Sequence, residues 1–161
     1  MSLEKKEAIK ARLTAAREEW FAALRGLTEE QWNTTAYSTE GGEWRVVDVL
    51  RHVADSERGM TTMMAQLRAG GGGVPDDFDL NRWNRRVVTK LQDKSAEEVL
   101  AGMEENRAAL FAFIDSLEDE DWDKKGRHAS GHILTIEQVC KLIARHERDH
   151  LAEIRAALEE N

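Results

Sequence analysis

Cysteine, proline and tyrosine are nearly absent from this sequence. The single cysteine, Cys140, leaves no partner for an internal disulfide, so a reducing, cytoplasmic setting is the expectation. A single proline leaves room for long uninterrupted helices. Extended runs of Val, Ile and Thr with period two are missing, so no sheet is expected. No stretch reaches the roughly 18 consecutive apolar residues of a membrane span, and residues Met1 to Lys10 lack the apolar run that follows the charges of a signal peptide. Basic residues are in deficit. Twenty-three Lys and Arg against 31 Asp and Glu give a net charge of -8, which argues against nucleic acid or an anionic membrane as partner. The run Gly70-Gly71-Gly72-Gly73 lacks the Lys-Ser/Thr of a phosphate-binding loop and reads as a flexible linker.

What remains is helical. The chain has 161 residues, 41% of them hydrophobic, enough for one domain over residues 1–161 with a real core. Apolar residues recur every three or four positions in four stretches. The first helix is expected over Ser2 to Arg25, with Leu13, Ala16, Trp20 and Leu24 on its inner face. The second spans Arg45 to Ala69 through Val46, Val49, Leu50, Val53, Met60 and Met64. A third, opened by the capping box Ser95-Ala96-Glu97-Glu98, runs to Leu117, and the fourth runs from Thr135 to Glu159. Thr28 to Trp32 reads as one extra turn, and Asn33 to Glu43 as a polar loop. Leu80, Trp83, Asn84, Val87 and Val88 suggest a short helix crossing the bundle or covering one end. The expected fold class is therefore all-α: a four-helix bundle with a short extra helix between its second and third helices. Leu117 to Trp122 echoes Leu27 to Trp32, a hint that the two helical hairpins are related.

The fourth helix carries two residues out of keeping with its stripe. His146 and His150 stand where Leu or Ile is expected, one turn apart on one face, a spacing at which two imidazoles can share a metal ion. The stretch His146-Glu147-Arg148-Asp149-His150 matches the H-E-x-x-H of zinc peptidases, in which the glutamate is the general base. Residues 151–161 hold no histidine, and Glu153, Glu159 and Glu160 lie in the same helical tail, so the zinc-peptidase reading weakens. Glu147 reads as a base or as a helix-packing glutamate. Asp55 and Asp149 are candidates to orient histidines, and Trp44, Trp83, Asn106 and His128 to line a pocket. Cys140 lies on the apolar stripe and reads as a small core residue. His52, on the flank of the second helix, is by itself a weak candidate.

Taken together, Glu43-Trp44 ahead of a helix with Val49-Leu50-x-His52, Gly131 ahead of Thr135, and His146-x-x-x-His150-Leu151 followed by Ile154 resemble the DinB-like superfamily, across most of the chain. The resemblance implies a four-helix bundle holding a divalent metal through one histidine of the second helix and two of the fourth. These match His52, His146 and His150. It also implies a metal-dependent hydrolase or, alternatively, an S-transferase using a low-molecular-weight thiol such as bacillithiol or mycothiol. A non-catalytic, metal-stabilised binding or dimerisation module is the third reading. Zinc or nickel is the expected ion, a small molecule the expected substrate, and a homodimer the expected assembly.

Overall fold

The computed structural model describes residues 2–159. In chain order it contains α1 (Ser2–Leu24), the single turn α2 (Glu29–Trp32), a hairpin of β1 (Thr35–Ser38) and β2 (Gly42–Arg45), and α3 (Val46–Arg68). Next come α4 (Leu80–Lys90), α5 (Ala96–Ser116), a 3-10 turn (Asp119–Asp121), a second hairpin of β3 (Lys125–Arg127) and β4 (Ile133–Thr135), and α6 (Ile136–Glu159). The four long helices, the extra turn and the short crossing helix stand where the sequence periodicity places them. No helix is long and apolar enough to cross a membrane among the described residues.

Local chemistry sets the helix starts. Thr28 Oγ1 accepts from the Gln31 amide while Gln31 Oε1 accepts from the Thr28 amide, so α2 opens on a complete capping box. Ser95 Oγ accepts from the Glu98 amide at 3.1 Å to open α5. Thr135 and Gln138 form the same reciprocal pair at the start of α6.

The absence of sheet needs correction. Each hairpin has strands of only three or four residues, too short for alternation to stand out against the helical pattern. The glycine run is not a free linker either. Arg127 donates its amide to Gly72 O at 2.9 Å, and Val74 donates to Arg127 O at 2.9 Å, so the run is docked along the second hairpin. Gly73 has φ +89°, and a Cβ there would collide with the Arg127 backbone.

Two apolar clusters give the helix directions. One joins Trp20 and Leu24 from the end of α1 to Val49 and Leu50 near the start of α3, Ala96 and Leu100 from the start of α5, and Ile154 from the end of α6. The other joins Ile9 and Leu13 near the start of α1 to Met64 and Leu67, Leu110 and Ile114, and Ile136 and Val139. Hence α1 and α6 run parallel, and α3 and α5 run antiparallel to both. The joins are therefore not all short: passing from the end of α3 to the start of α5 means retracing the bundle's length, and α4 lies on that crossover. Arg51, buried on α3, ties the far end of the crossover down by donating to Gln92 O and Lys94 O.

The echo between the hairpins extends through the whole fold. Thr35 pairs with Arg45 and Ala36 with Trp44; Lys125 pairs with Thr135 and Gly126 with Leu134. Val46 donates to Thr34 O and Ile136 to Lys124 O. Each of these matches its counterpart at the one sequence offset that also separates Trp32 from Trp122. The molecule is two copies of a helix–hairpin–helix unit related by an approximate two-fold.

At its centre the same offset pairs Arg17 with Arg107 and Glu57 with Glu147, one charge from each long helix. Arg17 Nε donates to Glu147 at 2.6 Å and its Nη2 to Glu57 at 2.6 Å; Arg107 Nε donates to Glu57 at 2.6 Å and its Nη2 to Glu147 at 3.2 Å. Nη1 of each guanidinium reaches the backbone of the other arginine's helix, Arg17 to Met103 O at 2.9 Å and Arg107 to Leu13 O at 2.7 Å. All four residues are buried, and the ring they form is electrically neutral. Replacing Glu147 by Gln leaves two guanidinium groups facing one carboxylate away from water. The expected cost is about 3–5 kcal/mol of folding stability, read as a lower urea midpoint at unchanged slope. A midpoint equal to that of the parent protein would show that the ring is not under this constraint.

Candidate metal centre

Three elements from both halves of the fold converge beside this ring. His52 comes from the second turn of α3, His146 and His150 from consecutive turns of α6, and Glu40 from the bend between β1 and β2. One ligand atom from each of the four lies within 4.8 Å of the others. The Nε2 atoms of His52 and His146 are 3.3 Å apart, and those of His150 and His146 3.1 Å. Glu40 accepts from or faces all three rings: its carboxylate oxygens lie 3.1 Å from His146 Nε2, 3.3 Å from His150 Nε2 and in short contact with His52 Nε2.

The tip of the first hairpin is held over the helices by several contacts. Ser38, almost fully buried, accepts from the Glu40 amide at 3.2 Å. The Trp44 indole packs on Gly41 so closely that a Cβ there would overlap the ring. The Trp44 and His52 ring centroids are 5.0 Å apart, so Trp44 packs on a histidine rather than lining the cavity. Glu153 joins the hairpin to α6. It accepts from the Thr39 amide at 3.4 Å and from His150 Nδ1 at 2.7 Å. With Nδ1 engaged by Glu153, His150 presents Nε2 to the cluster, and once that nitrogen has lost its proton it can serve as a metal ligand.

The donor set fits a divalent cation. Nitrogen–nitrogen separations of 3.1 and 3.3 Å match the edges of a coordination polyhedron, about 3.0–3.4 Å for metal–nitrogen bonds near 2.1 Å. Burial lowers the pKa of His52 and so favours its neutral, ligating form. Burial acts the same way on His150, but the hydrogen bond and charge of Glu40, with Glu153, outweigh it and raise that pKa. For Glu40, burial raises the pKa; the hydrogen bonds from His146, His150 and His52 outweigh it and hold the carboxylate ionised, below its ordinary range.

The other expected site residues divide. Asp55, His128, Asp149 and Trp83 line a cavity of about 460 Å³ that opens beside the cluster. His128 takes the Ser130 amide on Nδ1 at 3.1 Å, and burial holds its pKa below the ordinary histidine value. Asn106 faces elsewhere: its amide donates to Ala54 O at 3.2 Å and ties α5 to α3. Asp55 is bound to Arg58 at 2.8 Å and Asp149 is exposed, so orientation of a histidine falls to Glu153 instead. Glu147, read as a base or as a helix-packing glutamate, takes the second role. Both its oxygens are held by Arg17 and Arg107, because its side chain leaves α6 toward the bundle axis while His146 and His150 leave toward the hairpin. Sequence reading missed Glu40, which lies in a loop with no periodicity, and Glu153, whose spacing of three from His150 was the one available signal. Cys140 is a core residue, its thiol pushed up to about 12 by burial.

The profile of the DinB superfamily matches residues 12–154. The chain belongs to the DinB superfamily. Among its relatives is an Oceanobacillus iheyensis protein named "putative metal-dependent hydrolase", 29% identical over 121 residues, which make up 74% of this chain and 68% of the relative. Bacillus subtilis YfiT, described as a probable metal-dependent hydrolase with an unusual four-helix bundle topology, superposes with a TM-score of 0.79 at 21% identity, over 99% of this chain and 89% of YfiT. A mycothiol-dependent maleylpyruvate isomerase superposes with a TM-score of 0.72 at 14% identity, over 91% of this chain and 60% of the isomerase. These two likenesses show a shared fold. The parallel placing of α1 and α6, with the long crossover, is the topology of this DinB bundle.

Two outcomes are expected for metal binding by this DinB chain. In calorimetric titration with zinc, His150→Ala lowers affinity by more than the roughly 10- to 100-fold cost of losing a supporting residue, and circular dichroism shows the helices retained. His132→Ala, in the same cavity wall but outside the cluster, leaves affinity nearly unchanged. Equal affinity in the two variants would refute a shared site. Acid should weaken binding as well. Imidazoles must be unprotonated to ligate, so apparent affinity falls with decreasing pH through the histidine range near about 6.5. The raised pKa of His150 starts this loss on the neutral side of that range. Zinc titrations between pH 5.5 and 8 check this, and a flat profile would contradict it.

Proposed function

We propose that this DinB protein is a divalent-metal-dependent hydrolase of a small molecule, with His52, His146 and His150 as metal ligands. The observation that carries the reading is the convergence of three Nε2 atoms and one ionised carboxylate at the wall of an open cavity. Zinc or nickel suits three imidazoles, and either ion, when bound, polarises a substrate oxygen and lowers the pKa of bound water. The chain's own groups supply the rest. Glu40 is the proton acceptor: its carboxylate is ionised, sits among the ligating nitrogens and hangs from a hairpin bend rather than a helix. Glu153 fixes the His150 tautomer, and Trp44 and Ser38 fix the bend that presents Glu40.

A second reading, transfer to or from a low-molecular-weight thiol, draws support from the shared fold with a mycothiol-dependent isomerase. It requires the thiol to come from outside, since the chain's one cysteine is buried with its thiol protonated.

The two are separated by assaying purified protein against esters, amides and lactones, with and without mycothiol or bacillithiol, before and after chelation. Hydrolysis predicts turnover that needs no thiol, disappears on chelation and returns with zinc or nickel. Glu40→Gln then lowers kcat by about 10²- to 10⁴-fold with little change in KM. Turnover that survives chelation would overturn the metal-dependent reading, and turnover that requires a thiol would replace hydrolysis by transfer.

A further inference from the structure

The approximate two-fold gives every residue of the metal cluster a counterpart, and none of the counterparts can ligate as the originals do. At the offset relating Arg17 to Arg107, His52 corresponds to Leu142, His150 to Met60, His146 to Ser56 and Glu40 to Ser130. The two residues that support the cluster are replaced too, Trp44 by Leu134 and Glu153 by Met63. All six counterparts line the cavity that opens beside the cluster, so the two-fold passes through this cavity. One half of a duplicated site carries imidazoles and carboxylates, and the other carries aliphatic and thioether groups with two serine hydroxyls, Ser56 and Ser130. Met60 lies two helical turns beyond His52 on α3, and Leu142 two turns before His150 on α6, so the apolar half extends roughly 12 Å along the bundle from the cluster.

The crossover closes this half from above and contributes one polar group. Phe78 and Trp83 pack together, 5.8 Å between ring centroids, over the cavity. Beside them Asn84 is 3% exposed, lines the same cavity, and its Nδ2 has no hydrogen-bond partner. A buried amide donor left unpaired is destabilising, and a ligand acceptor would recover that loss. Asn84 belongs to α4, outside the duplicated unit, so it has no counterpart in the other half.

The structure assigns the apolar half, walled by Leu142, Met60, Met63 and Leu134, to the body of the substrate: an acyl-type group whose hydrolysable end reaches the cluster and which carries a hydrogen-bond acceptor for Asn84. This assignment rests on the metal-dependent reading above and adds the substrate's class to it. A compound with a short polar body would leave both the apolar wall and the Asn84 donor without partners.

Hydroxamates provide a metal-binding head with a variable tail and need no turnover. Zinc-loaded protein is titrated by calorimetry with linear alkyl hydroxamates of two to eight carbons, then with octanohydroxamates carrying a ketone at successive positions. Affinity should rise by roughly threefold to fourfold per added methylene. At least one ketone isomer should bind more tightly than octanohydroxamate. Leu142→Gln should flatten the chain-length series while leaving acetohydroxamate binding as in the parent. Leu142→Ala should give a reduced slope, so the test stands even if the glutamine variant fails to fold. Asn84→Leu should abolish the ketone preference without weakening the plain alkyl series. If acetohydroxamate binds but the parent protein shows no dependence on chain length, the assignment of the apolar half is overturned and the metal reading stands. If the ketone preference is missing in the parent or persists in Asn84→Leu, the assignment of Asn84 is overturned. If the zinc-loaded protein binds no hydroxamate at all, the metal reading falls and the substrate assignment with it.

Discussion

A neutral ring of two guanidinium and two carboxylate groups holds this bundle in register. Arg17, Glu57, Arg107 and Glu147 each come from the middle of a long helix, and each is buried between two apolar clusters. Apolar stripes alone tolerate sliding of one helix along another, because Leu, Met and Ile accept many neighbours. Charges in a dry interior do not, since a shift of one turn would leave four ions without partners. The ring therefore sets the heights of α3 and α6 relative to each other. Glu57 lies little more than one turn beyond His52, and Glu147 adjoins His146, so the heights that satisfy the ring also bring the three imidazoles together.

The ring respects the approximate two-fold of the fold, and the site breaks it. Hairpin registers, the bonds that start α3 and α6, and the ring itself recur in both halves. The histidines, Glu40 and Glu153 are drawn from both halves, and none has a like residue at its two-fold counterpart. Symmetry supplies the scaffold with a cavity on its axis, and the departure from symmetry makes one wall polar and the other apolar. Members of such a family can share this bundle while differing in chemistry, since what acts on a substrate is the set of groups on the cavity walls rather than the helices that carry them.

Much of this was written into local sequence. Periodic apolar residues, three capping motifs and the scarcity of proline determined the four long helices, nearly to the residue, and the crossing helix. The place of His146 and His150 within an apolar stripe marked them as unusual, and a spacing of four put them on one face whatever the tertiary packing. These features depend on contacts within one or two helical turns, and the sequence alone suffices for them.

Tertiary structure decided everything that joins distant segments. Glu147 and His146 are adjacent in sequence, yet one turns to the ring and the other to the hairpin, because successive helical residues point about 100° apart and the neighbours of each face lie in other helices. Glu40 occupies a bend without periodicity, held by Ser38 and by Trp44 lying against Gly41. Its closeness to three histidines depends on how that hairpin folds back onto α6. The parallel pairing of α1 with α6, the docking of the glycine run on the second hairpin and the open amide of Asn84 are likewise properties of packing between elements far apart in the chain. A local pattern cannot encode them, since the free energy that selects them is gained only when those distant surfaces meet and exclude water.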